Sequence, residues 1–128
     1  MPVKYFILTN NPMVLEKYGD EKDVRFFDLD FKGIIEKGSE MISENYKLLT
    51  HPLSGSIKPM ATRYKSMLFQ KKPLDKPDTW SVKLISSALQ SLDKFEDQSY
   101  KHTKQNLEDF SLVDYTLIAS AISSAEMR

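Results

Sequence analysis

The sequence predicts an α/β fold, a small and mostly parallel sheet of about four strands flanked by helices, with a helical C-terminal third. Three observations lead to it. Short apolar runs near the start alternate with helical patterns, the last third carries two long 3.6-period stripes, and polar turn residues separate each run from the next. The chain of 128 residues falls in the usual single-domain range and shows no composition shift or repeat, so one domain over residues 1–128 is expected.

Tyr5-Phe6-Ile7-Leu8 opens the chain as a short apolar run of strand-forming residues, apolar on both faces as in the middle of a parallel sheet. Asn11-Pro12 then reads as helix cap and first helical residue, with Val14, Leu15 and Tyr18 inward and Gly19 as the stop. Val24 to Leu29 reads as a second strand. From Phe31 to Tyr46, Ile34, Ile35, Met41, Ile42 and Tyr46 recur at helical spacing, and Lys47-Leu48-Leu49-Thr50 follows as a third strand.

His51 to Arg63 has neither period, and irregular stretches of that length in compact domains are often functional. Tyr64 to Lys72 reads as a further strand of open direction. Asp78 or Thr79 caps a helix whose apolar stripe is Trp80, Leu84, Ile85, Ala88, Leu89, Leu92 and Phe95, so Trp80 is expected in the core. Asp97 to Asp109 is a polar connector. Ser111-Leu112-Val113-Asp114 resembles a capping box opening a final helix with Leu117, Ile118, Ala121, Ile122 and Ala125 buried.

Composition narrows the chemistry. Eighteen basic residues balance eighteen acidic ones, so no overall field draws in nucleic acid. Cysteine is absent, which removes disulfides and thiolate chemistry. The first apolar run is too short for a signal-peptide core or a membrane span, and a soluble, cytoplasmic protein without membrane contact is expected. Only His51 and His102 exist, far apart in sequence, so neither a metal site nor a bound cofactor is expected.

Ligands of open parallel sheets bind at the carboxyl ends of strands. Three polar loops map there: the one at Asn10 and Asn11, the one at Asp28 to Asp30, and the long loop from Thr50. Ser54-Gly55-Ser56 offers two hydroxyls and a flexible backbone whose N–H groups suit an anion, and Lys58 and Arg63 supply charge. The candidate ligand-binding residues are therefore Asn10, Asn11, Thr50, His51, Ser54, Gly55, Ser56, Lys58 and Arg63. The loop matches no phosphate fingerprint, and a stiff, self-bonded turn is the structural alternative. His51 is the candidate general acid or base, with Asp28 or Asp30 behind it and Ser54 or Ser56 in front, but the G-x-S-x-G elbow of serine hydrolases is missing.

The segment Tyr46-Lys47-Leu48-Leu49-Thr50-His51-Pro52-Leu53-Ser54-Gly55-Ser56-Ile57-Lys58-Pro59, continuing to Tyr64-Lys65-Ser66, resembles the signature of GrdX-family proteins. Ile7-Leu8-Thr9-Asn10-Asn11-Pro12 and the terminal helix with Asp114 and Ile118 are similar too. The resemblance implies a small protein encoded beside the selenium-dependent glycine, sarcosine, betaine and proline reductases of fermenting anaerobes, and hence an accessory of such a system. It supplies no catalytic residues. Three roles stay open: binding a small anionic ligand at the strand-end loops, docking on a reductase component as an assembly protein, or transferase or hydrolase chemistry using His51 and a loop serine.

Overall fold

A computed structural model of the chain describes residues 4–53, 62–93 and 102–127. Its elements run β1 (Tyr5–Thr9), α1 (Pro12–Tyr18), β2 (Val24–Phe26), α2 (Phe31–Ser43), β3 (Ser66–Gln70), α3 (Thr79–Leu92) and α4 (Lys104–Glu126). The α/β class and the helical C-terminus are as the sequence predicts.

The sheet is mixed rather than mostly parallel, with strand order β2-β1-β3. β1 pairs parallel with β2, Ile7 opposite Val24, and antiparallel with β3, Ile7 opposite Leu68. The expected third strand at 47–50 makes only an isolated antiparallel bridge, Leu48 to Phe69, with Leu49 N–H donating to the Leu68 carbonyl at 2.8 Å. The Leu68 N–H that would return the backbone bond donates to Thr50 Oγ1 at 3.2 Å instead, and on the side away from β3 the Leu48 N–H donates to Ser81 Oγ of α3 at 2.9 Å, which closes that edge. The later segment β3 has meanwhile inserted between β1 and residues 47–50, a long-range choice that local patterning does not encode.

Both faces of the sheet are apolar because helices cover both. Phe6, Leu8, Met67 and Phe69 point to one side, where they pack with Phe31, Ile34, Ile35 and Ile42 of α2 and Ile85, Ala88 and Leu92 of α3. Ile7 and Leu68 point to the other, against Val14 of α1 and Ile118, Ile122 and Ala125 of α4. Each helix begins on a side-chain cap. Asn11 accepts from Met13 N–H, Asp30 from Gly33 N–H, and Asp78 from Ser81 N–H. α2 stops before Asn45, whose φ of 74° is a left-handed conformation that asparagine tolerates better than most residues.

Two expectations for the C-terminal third change. α4 begins seven residues before Ser111, on a capping box formed by Thr103 and Asn106, so Lys104 to Asp109 is helix rather than connector. Ser111 and Asp114 lie within the helix on its buried side, and their spacing imitates a cap because both motifs need two polar groups one turn apart. Trp80 is 64% exposed, not core, since it lies off the helix face that Ser81, Ile85, Ala88 and Leu92 turn inward. Phe95 lies outside the described residues.

Candidate functional site

The carboxyl end of β1 is polar and closed. Thr9, Asn10 and Asn11 are almost fully buried. Burial of such groups is costly unless every donor and acceptor is met. The Asn10 amide donates to the carbonyls of Leu29 and Arg63, both at 2.8 Å, and its oxygen accepts from Lys65 N–H at 2.8 Å. It thereby pins the approach to α2 and the approach to β3 to one point.

Asn11 is equally engaged. Its oxygen accepts from Met13 N–H at 3.0 Å and from Ser111 Oγ at 2.7 Å, and its amide donates to the Ser111 carbonyl and to Asp114 Oδ2. Asp114 in turn accepts from the N–H and hydroxyl of Ser66 at 2.9 and 2.7 Å. Ser66 has one hydroxyl proton, and giving it to Asp114 makes the Thr9 hydroxyl the donor in their 2.7 Å contact. A directed chain of hydrogen bonds thus runs from Thr9 through Ser66 to Asp114.

Lys65 completes this cluster, buried like Asp114 at 7% exposure. Burial raises the Asp114 pKa, an effect opposed by the hydrogen bonds from Ser66 and Asn11 and by the charge of Lys65. Burial likewise lowers the Lys65 pKa, opposed by Asp114. A small cavity of about 30 Å³ lies against the cluster, lined by Thr50, Lys65, Ser66, Asp114, Leu117, Ile118 and Ala121. It has room for one water molecule.

A larger cavity of about 280 Å³ opens at the sheet edge, lined by Lys47, Leu48, Leu49, Thr50, His51, Trp80 and Leu84. The bridging segment 47–50 makes its floor and the first turns of α3 its wall. Thr50 Oγ1 accepts from Leu68 N–H at 3.2 Å, fixing that residue at the boundary of both cavities. His51 is exposed, and its Nδ1 accepts from Leu53 N–H at 3.1 Å, which leaves the ring proton on Nε2.

The predicted site residues therefore separate. Asn10 and Asn11 stand at the strand end with amides committed to protein groups, and Arg63 pairs there with Asp28 at 3.1 Å. Asp30, the other acid considered behind His51, caps α2. Thr50 and His51 stand at the larger cavity. Ser54, Gly55, Ser56 and Lys58 lie outside the described residues. Sequence reasoning missed Lys47, Lys65, Ser66, Trp80 and Asp114 as site-forming residues. The one available signal was a lysine and a serine, Lys65 and Ser66, entering an apolar strand run, together with an acid on an otherwise apolar helix stripe. Among the described residues no group of three or more His, Cys, Asp or Glu could hold a metal ion, and no helix is long and apolar enough to cross a membrane.

Comparison with known proteins adds one finding. A family model described as GrdX-like protein matches residues 6–123. No curated protein and no solved structure matches the chain.

Proposed function

The chain belongs to the GrdX-like protein family, and from that premise we propose that it is an accessory protein of a fermentative, glycine-type amino-acid reductase system that binds a small anionic ligand. The absence of cysteine supports the accessory part of this reading, because the redox step of such a system needs a thiol or selenol.

One observation carries the ligand part: among the described residues the ionisable side chains lining the larger cavity, Lys47 and His51, are both of the basic type, and they face an apolar wall of Trp80 and Leu84. Its volume of about 280 Å³ suits a metabolite-sized molecule, close to the roughly 300 Å³ at which ligand pockets begin. The polar run Ser54-Gly55-Ser56 and Lys58 follow His51 in sequence after Pro52 and Leu53. The anion sits in this reading against Lys47 and His51, with Trp80 covering its less polar part.

Trp80 is the only tryptophan of the chain, so its fluorescence reports on the cavity alone. Titration with inorganic phosphate, acyl phosphates and amino acids is expected to shift its emission and raise the melting temperature for at least one of them. At a hundred times its dissociation constant a ligand stabilises by about 2.7 kcal/mol. Lys47→Ala and His51→Ala are expected to weaken the response. Unchanged emission and melting with every compound at millimolar concentration would remove the ligand from the proposal.

A further inference from the structure

The edge segment at residues 47–50 turns backbone groups as well as side chains to the larger cavity. Leu49 N–H donates to the Leu68 carbonyl, and the Lys47 carbonyl accepts from Gln70 N–H, so these two residues aim their hydrogen-bonding groups at β3. The carbonyl and N–H of a trans peptide point in opposite directions. With Leu49 N–H on β3, the Leu48 carbonyl points away from it, and by alternation along the strand so does Thr50 N–H. Leu48 and Thr50 both line the cavity on that side.

Ser81 Oγ closes this edge only at the Leu48 N–H, 2.9 Å away. Among the described residues neither the Leu48 carbonyl nor Thr50 N–H has a hydrogen-bond partner. Leu48 is 5% exposed, and backbone groups so buried are nearly always paired. An open acceptor with an open donor two residues further on is the half-ladder that a parallel strand fills. One extended residue opposite Leu49 gives its N–H to the Leu48 carbonyl and takes Thr50 N–H on its own C=O.

Charge decides what stands at each end of that residue. A segment parallel to 48–50 brings its carboxyl end to His51, so a terminal carboxylate there meets Thr50 N–H and a basic ring together. At the other end an ammonium would stand beside Lys47, and no acid is among the described lining residues. Asp78, on which Lys47 acts, commits its Oδ2 to the N–H and hydroxyl of Ser81. A neutral amide N–H avoids the repulsion. We propose, on the ligand reading above, that the cavity takes an N-acylated α-amino carboxylate in extended form, as the last residue of a peptide presents it, with an apolar side chain against Trp80 and Leu84.

Titration of the full chain with N-acetyl-L-leucine, followed by Trp80 emission and calorimetry, is expected to show saturable binding. N-acetyl-L-leucinamide lacks the carboxylate, L-leucine replaces the amide with an ammonium, and isocaproate and N-acetyl-N-methyl-L-leucine lack the N–H. Each is expected to bind at least about tenfold more weakly, the scale of one lost hydrogen bond to a charged or buried group. Thr50→Pro, which deletes the donor, is expected to abolish binding with unchanged circular dichroism; should it fail to fold, the ligand series decides alone. Ala-Ala-Leu separates the two sources of this chemistry: binding at least as tight as that of N-acetyl-L-leucine assigns a peptide end, and weaker binding a free acylated amino acid. If inorganic phosphate shifts Trp80 emission and N-acetyl-L-leucine does not, the anion site stands and this occupant is overturned. L-leucine or isocaproate binding as tightly as N-acetyl-L-leucine overturns it too. No response to any of these compounds overturns both readings.

Discussion

Asn11 and Asp114, 103 residues apart in the chain, share a buried hydrogen bond of 3.0 Å that ties the start of α1 to the middle of α4. The same carboxylate holds the first residue of β3, so three elements that meet nowhere in sequence depend on one side chain.

Asp114→Ala is therefore expected to destabilise the protein by about 3 kcal/mol, since it strands buried donors on Ser66 and Asn11 and removes a buried charge that acts on Lys65. Urea unfolding measures this directly. Asn11→Ala, which also removes a helix cap, is expected to cost about 2 kcal/mol. In the double variant the two losses should fall short of additive because they share a bond. A loss under about 1 kcal/mol for Asp114→Ala would contradict the role assigned to it.

The buried pair also sets a pH dependence. Asp114 titrates above its unfolded value, so between the two the native state holds more protons, and this residue makes stability fall as pH rises through that window. Lys65 titrates below its unfolded value. Between those two the unfolded state holds more protons, and this residue makes stability rise with pH toward the ordinary lysine range. Urea midpoints of the native chain, Asp114→Asn and Lys65→Met, compared across pH, should show the first slope missing in one variant and the second in the other. Parallel curves for all three would disprove the assignment.

Asp78 does more than cap α3. It accepts from Ser81 N–H and Oγ, and that hydroxyl accepts from Leu48 N–H, so the cap is wired to the edge of the sheet. Asp78→Ala is expected to cost about 1 kcal/mol, and Ser81→Ala about 1–3 kcal/mol, the latter by leaving a buried N–H unmet. The hydrogen bonds from Ser81 lower the Asp78 pKa. Its contribution is then present above the ordinary carboxylate range and lost as pH falls through the folded value. Thermal melts in acid should lose that decline in Asp78→Ala.

At Gly38, α2 lies close against side chains of β3. A Cβ there would stand 3.1 Å from Met67 Cε and 3.6 Å from Phe69 Cζ. The methionine end is flexible, so Gly38→Ala is expected to be near neutral, its helix-propensity gain of about 1 kcal/mol offset by the contact. Gly38→Leu has no such escape and is expected to cost about 2–3 kcal/mol in chemical denaturation.

Trp80→Ala is expected to change stability by less than about 0.5 kcal/mol, because so much of the indole is already in water. Leu92→Ala, from the buried face of the same helix, is expected to cost about 3 kcal/mol. Comparable losses for the two would mean that Trp80 packs in the core after all.

Local signals in the sequence located most elements. The run at Tyr5 to Leu8, the Asn11-Pro12 cap, the period from Phe31 and the cap at Asp78 each depend on neighbours within a turn or two, and each falls where it was expected. What local patterning misses is set by contacts far along the chain. β3 takes the place beside β1, pairing from Tyr5 opposite Gln70 to Thr9 opposite Ser66, while residues 47–50, which also send Leu48 and Leu49 to the two helical layers, keep a single bridge to β3. Ser111 and Asp114 look like a cap until Asn11 and Ser66 are seen as their partners. The candidate site divides the same way: the polar strand end was legible, but its amides are committed to protein groups. The open cavity needed the unforeseen placement of Trp80.

The pairing of Asp114 with Ser66 and Asn11 also has a consequence during synthesis. A chain emerging from the ribosome has β1, α1 and β2 in hand early, yet the donors at Ser66 and Asn11 stay open to water until residue 114 clears the exit tunnel. Native closure of this small protein is therefore a late event, set by its last helix.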